Sequence, residues 1–122
     1  MIMRLLRLCI FTVILFAFAL PVQARDQKEN VRIESLVKTL EGLKGAKFIR
    51  NGSEYGASEA GSHLRMKLAK AGDKVKTAED FIQLCASQSY LSGKKYQIKM
   101  SDGKVVEAGA YLTARLKEND AK

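Results

Sequence analysis

Hydrophobic positions along this chain recur at two different periods, and the switches between them divide it into elements. Ile33, Leu36, Val37, Leu40 and Leu43 follow the three–four spacing of one helical face. Asp26 with Glu29 three residues later predicts a capped start, Glu34 and Lys38 form an i,i+4 pair outside the stripe, and Gly45 predicts the stop. Asn51-Gly52 then lies between two short strand-like runs, the strongest local hairpin signal. A two-residue turn there sets Phe48 opposite Tyr55. A second helix is predicted over residues 58–71, ended by Gly72. Its apolar face is Ala57, Ala60, Gly61, Leu64, Leu68 and Ala71, and side chains that small call for a closely packed neighbour.

Thr77 and Asp80 form a capping-box pattern, with Asp in place of the usual Glu, so a third helix begins near Ala78 and carries Phe81, Leu84 and Cys85 inward. Residues 87–95 read as a polar loop interrupted by Tyr90 and Leu91. Tyr96, Ile98 and Met100 alternate with Gln97 and Lys99, as in a half-buried strand. The loop after it is chosen by burial. A two-residue Asp102-Gly103 turn would oppose apolar Ile98 with Glu107. A three-residue loop with Gly103 at positive φ pairs Ile98 with Val106 and Tyr96 with Ala108. A last helix is predicted over residues 109–117 with Leu112 and Leu116 inward, followed by a charged tail, 118–122, that frays. The order helix-hairpin-helix-helix-hairpin-helix describes a small α+β domain whose two hairpins can join as one antiparallel sheet.

The first 24 residues stand apart from this pattern. Arg4 and Arg7 precede an apolar run over residues 8–20, interrupted by Thr12 alone. Pro21 and the small residues Val22 and Ala24 follow, which is the order of a secretory signal peptide cleaved after Ala24. The run falls short of the roughly 20 residues of a membrane span. The expected mature protein is a single domain, residues 25–122, located in the periplasm and not embedded in the membrane. Without Arg4 and Arg7 the 21 basic and 13 acidic side chains leave a net charge of about +6. In that compartment the charge directs attention away from nucleic acid, toward an unknown protein or an anionic envelope ligand. Cys9 lies in the leader, so Cys85 stands alone on an apolar stripe, where it reads as a buried inert thiol.

Catalytic equipment is scarce. There is one His and no Trp, with no nucleophile elbow, no phosphate loop and no cofactor motif. Glu59 and His63 alone have metal-ligand spacing, and two ligands do not make a site. One polar cluster remains: Arg50, Asn51, Glu54, Tyr55, Glu59, His63 and Arg65, with Lys67 beside them. His63 lies about 110° from the centre of the helix's apolar face, at its flank. A helix beginning slightly early would align Tyr55, Glu59 and His63. The favoured reading is a non-catalytic binding or interaction module. The alternative is a small periplasmic hydrolase with His63 as general base, Glu59 orienting it, and Tyr55 or Ser62 as partner.

The stretch from Phe48 through Asn51-Gly52 to Tyr55, with Glu59-Ala60 and His63-Leu64-Arg65-Met66-Lys67, resembles the YfeK-like exported bacterial proteins. Thr77-Ala78-Glu79-Asp80-Phe81-Ile82 and Ser92-Gly93-Lys94-Lys95-Tyr96 continue the resemblance across almost the whole mature chain. Lys95 replaces a Pro common in that pattern, which bears on loop stiffness more than on chemistry. The resemblance implies a Gram-negative periplasmic protein from a family with no assigned activity.

Overall fold

The computed structural model describes residues 25–122; the leader and its cleavage position lie outside the described residues. Helix α1 (Gln27–Glu41) leads to strands β1 (Lys47–Arg50) and β2 (Ser53–Tyr55), then helix α2 (Ala57–Ala71). Helix α3 (Ala78–Phe81) continues into a π-helical segment, Ile82–Ala86. Strands β3 (Gln97–Lys99) and β4 (Val105–Glu107) and helix α4 (Ala108–Asp120) complete the α+β domain. The two hairpins join through β1 and β3 into one antiparallel sheet of order β2-β1-β3-β4.

Side-chain alternation gives this sheet two unlike faces. Phe48 pairs with both Tyr55 and Ile98, and Ile98 pairs with Val106, so all four side chains share the face covered by the helices. Glu54, Lys99, Glu107 and Lys95 stand on the other face, where Lys99 pairs with Glu54 and Lys95 with Glu107. Asn51 and Gly52 both take positive φ, 50° and 80°, as a primed two-residue turn requires. The second hairpin uses the three-residue loop: Met100 and Lys104 close it, and Gly103 sits at φ 91°.

The core gathers Ile33, Leu36, Val37 and Leu40 of α1 with Leu64, Phe81, Ile82, Cys85, Ile98, Leu112 and Leu116. Gly61 is where α2 meets α1. A Cβ there would come within 2.4 Å of the Glu41 carboxylate, which accounts for the small-residue face of α2.

Several sequence expectations are corrected. Asp26 caps α1 by accepting from Lys28 N–H, but Glu29 does not complete the box. It is buried and instead accepts from the Ala78 N–H at the start of α3. Helix α1 ends at Glu41, and Leu43 packs from a following turn whose N–H bonds to Leu40. Glu34 pairs across to Arg65 of α2 instead of down its own helix to Lys38. Past Phe81 the wider π-helical turn shifts the inward stripe, burying Ile82 and Ala86 and leaving Leu84 at the core edge. The expected frayed tail is helical to Asp120, which Arg32 holds by an ion pair of 2.8 Å.

Arg32 also binds Glu29 of its own helix and Glu79 of α3, so one guanidinium ties α1, α3 and α4 together. Those partners, Glu79 foremost, raise its proton affinity further above the ordinary arginine value.

Candidate functional site

Arg50 lies two residues beyond Phe48 and therefore points to the same, helix-covered face. Continuing the register that pairs Phe48 with Ile98 sets Arg50 across from Tyr96. Helix α2 passes over this end of the sheet and presents Ala60 and Leu64 with Glu59 and His63. Between helix and sheet lies a cavity of about 210 Å³. Leu40, Phe48, Ala60, Leu64, Ala86 and Ala108 make its wall apolar. Arg50, Tyr55, Glu59, His63 and Tyr96 bring polar groups to it.

The polar groups are organised around His63. Nη1 of Arg50 is 3.0 Å from both imidazole nitrogens, and the Arg50 guanidinium stands 5.8 Å from the centroid of the Tyr55 ring. Tyr96 meets His63 edge to face, centroids 6.2 Å apart. Lys67, one turn along α2, donates to Tyr96 Oη at 2.8 Å and lies 5.4 Å from the Tyr90 ring. Among the described residues, no carboxylate lies within ion-pairing distance of Arg50 or Lys67.

Burial, and then the charges of Arg50, Lys67 and Lys70, push the His63 pKa below its ordinary value near 6.5. The ring is therefore neutral around pH 7. The nitrogen that accepts from Arg50 carries no proton, so the other ring nitrogen is a donor.

A pH dependence follows from this shift. The unfolded chain takes up a proton at His63 at higher pH than the folded protein does. Stability contributed at this site is thus complete above about pH 6.5 and is lost as pH falls through that value toward the lowered folded one. Glu34 and Glu79 are held below the carboxylate value of 4.5, mainly by Arg65 and Arg32, so their losses come at lower pH. Urea unfolding on either side of pH 6.5 should show a shallower decline in His63→Gln than in the unsubstituted protein. Equal slopes would remove His63 as the cause.

The structure separates the sequence-derived cluster into four places. Arg50, Tyr55, Glu59 and His63 line one cavity. Tyr55 reaches it from β2, because α2 begins only at Ala57. Asn51 leaves the cavity for the 87–95 loop, accepting from Ser92 Oγ at 2.5 Å and donating to Ser89 Oγ. Glu54 faces away on the open side of the sheet. Arg65, two residues and about 200° around the helix from His63, binds Glu34 and Glu41 of α1.

Among the described residues no hydrogen bond or ion pair joins Glu59 to His63; Arg50 occupies that position. Ser62 is exposed and does not line the cavity. The oriented base and adjacent nucleophile that the hydrolase reading requires are not assembled here. No group of three or more His, Cys, Asp or Glu side chains is placed to hold a metal among the described residues.

Tyr96 was legible only as the first apolar position of a strand. Its place beside His63 depends on β1 pairing with β3, a contact between hairpins some fifty residues apart that no local pattern encodes.

Residues 27–120 match a family of unknown function, DUF5329. The uncharacterised protein YfeK of Salmonella typhimurium is 38% identical over 85 residues, which cover 69% of this chain and 71% of that protein. No solved structure matches.

Proposed function

For a chain that belongs to the YfeK-like DUF5329 family of unknown function, we propose the role of a non-catalytic periplasmic module binding a small anion with an apolar body. The observation that carries this reading is an apolar cavity bordered by one cation, Arg50, that has no carboxylate partner among the described residues. His63, held neutral beside Arg50, lines the same cavity without adding charge.

Size limits the occupant. Clefts for drug-sized ligands begin near ~300 Å³, whereas an engineered apolar cavity of about 150 Å³ accepts benzene. A volume of about 210 Å³ therefore suits one ring or a short acyl chain. A carboxylate on such a body would meet Arg50, whose planar guanidinium matches it in shape and charge. Glu59 at the same cavity disfavours a second negative charge on the ligand, so a monoanion fits best. Export is supported by the Arg4 and Arg7 start, the apolar run and the small residues ending at Ala24.

Benzoate and butyrate, titrated beside their neutral amides, test this directly. The anions should bind more tightly than the amides, and Arg50→Gln should weaken them about 10–100-fold, the range for a hydrogen bond to a charged group. Glu54→Gln, on the far face of the sheet, should leave the affinity unchanged. Equal binding of anion and amide, or undiminished binding by Arg50→Gln, would overturn the proposal.

A further inference from the structure

The chain between the π-helical segment and β3 projects two large apolar side chains into solvent. Leu91 is 98% exposed and Tyr90 is 76% exposed, well beyond Val31, Met66 and Val105. Their exposure belongs to an ordered tip. Gln88 and Lys95 form a β-bridge, Ser89 N–H bonds to the Lys94 carbonyl, and Gly93 N–H bonds back to the Ser89 carbonyl. Asn51, from the β1–β2 turn, clasps Ser89 and Ser92 on either side of the pair. The hydroxyl-bearing flanks are thus turned to the protein while Leu91 is held outward. A side chain of this size costs free energy in water, and a braced tip prevents it from folding back.

Basic groups surround it. Lys94 is exposed on the same tip, Lys95 lies at its base in an exposed pair with Glu107, and Lys67 stands against Tyr90. An outward leucine, a tyrosine with a polar end, and adjacent lysines match the layered order of an anionic bilayer surface. There the ring sits at headgroup level and the aliphatic group below it, while lysines meet phosphate.

We propose that the 89–94 tip docks this domain on anionic lipid headgroups, with Leu91 entering the acyl boundary and Lys94 and Lys67 facing lipid phosphate. One inserted leucine with a few lysines gives weak, reversible attachment, in contrast to a spanning helix. The docking does not depend on what the cavity binds.

The sequence contains no tryptophan, so Leu91→Trp reports on this tip alone, whatever else in the chain meets lipid. With phosphatidylglycerol vesicles its emission should shift to the blue and be quenched by brominated acyl chains. Phosphatidylcholine vesicles should produce neither effect. The shift should weaken at 1 M salt, where the screening length falls to about 3 Å. Val31→Trp, on an exposed apolar position of α1, should not respond. In a second arm, Leu91→Ser should lower vesicle affinity about tenfold, the scale of one lost leucine burial. No response of Leu91→Trp to anionic vesicles, or an equal response of Val31→Trp, would overturn the proposal. A tip that ignores vesicles and becomes shielded in a soluble protein extract would assign it to a protein partner instead, which also overturns it.

Discussion

Phe81→Ala is expected to destabilise the domain by about 3–5 kcal/mol, the range for emptying a buried aromatic site. Phe81 is completely buried and lies where α3 passes into the π-helical segment. A collapse that refilled the space would have to move that junction. The segment is held by the Thr77–Asp80 capping box at one end and by Ser87 Oγ bonding to the Ile82 carbonyl at the other. Relaxation is therefore restricted, and the cavity penalty adds to the lost burial. For a domain of this size total stability is about 5–15 kcal/mol, so the variant sits near the edge of folding. Phe81→Leu refills most of the volume and should lose much less. Urea midpoints at unchanged slope measure both. A Phe81→Ala loss under about 1 kcal/mol would show that the core at this position repacks freely.

Arg32→Met is expected to cost about 2–3 kcal/mol, below the 3–5 of a fully buried pair because two of its three partners are open to water. Glu79 and Asp120 have side-chain exposures of 61% and 47% and would be rehydrated on losing the guanidinium. Glu29 decides the size of the effect. Its side chain is 11% exposed, and without Arg32 its carboxylate keeps only the Ala78 N–H. Adding Glu29→Gln to Arg32→Met removes that unpaired charge and should recover part of the stability. A double substitution no better than Arg32→Met would show that the arginine's apolar stem and its links to α3 and α4 carry the loss instead.

The elements that local rules describe were legible from the residues. The Asn51-Gly52 turn needs two positive-φ residues, and the chain supplies them in sequence. The three-residue loop at Gly103 followed from refusing to bury Glu107 opposite Ile98, because strand period makes a one-residue slip reverse every side chain. The burial of Ile33, Leu36, Val37 and Leu40 followed from helical period alone. The resemblance to the YfeK-like proteins was likewise carried by residues in view.

Misreadings arose where a side chain had to choose between a local and a distant partner. Glu29 was expected to cap its own helix and Glu34 to pair with Lys38. Each instead answers a group on another element, the Ala78 N–H and Arg65. Local pairs on a solvated helix contribute only about 0.2–0.5 kcal/mol, so a better-placed cross-element partner outcompetes them. The Leu84 stripe failed for a different reason, since a π-helical turn changes the angular step and no single-sequence period signals it.

The sequence by itself determined the order and type of the elements, the two turns, the core faces of α1, α2 and α4 and the charge of the surface. These depend on residues within a few positions of one another. Only the tertiary structure decided that Arg50 meets His63, that Tyr96 and Lys67 join them, and that Arg65 and Glu54 turn away. The physical reason is that the site is built across the β1–β3 pairing and the crossing of α2 over that sheet. Its contacts are set by how two hairpins and a helix pack together, and that placement is a property of the whole core.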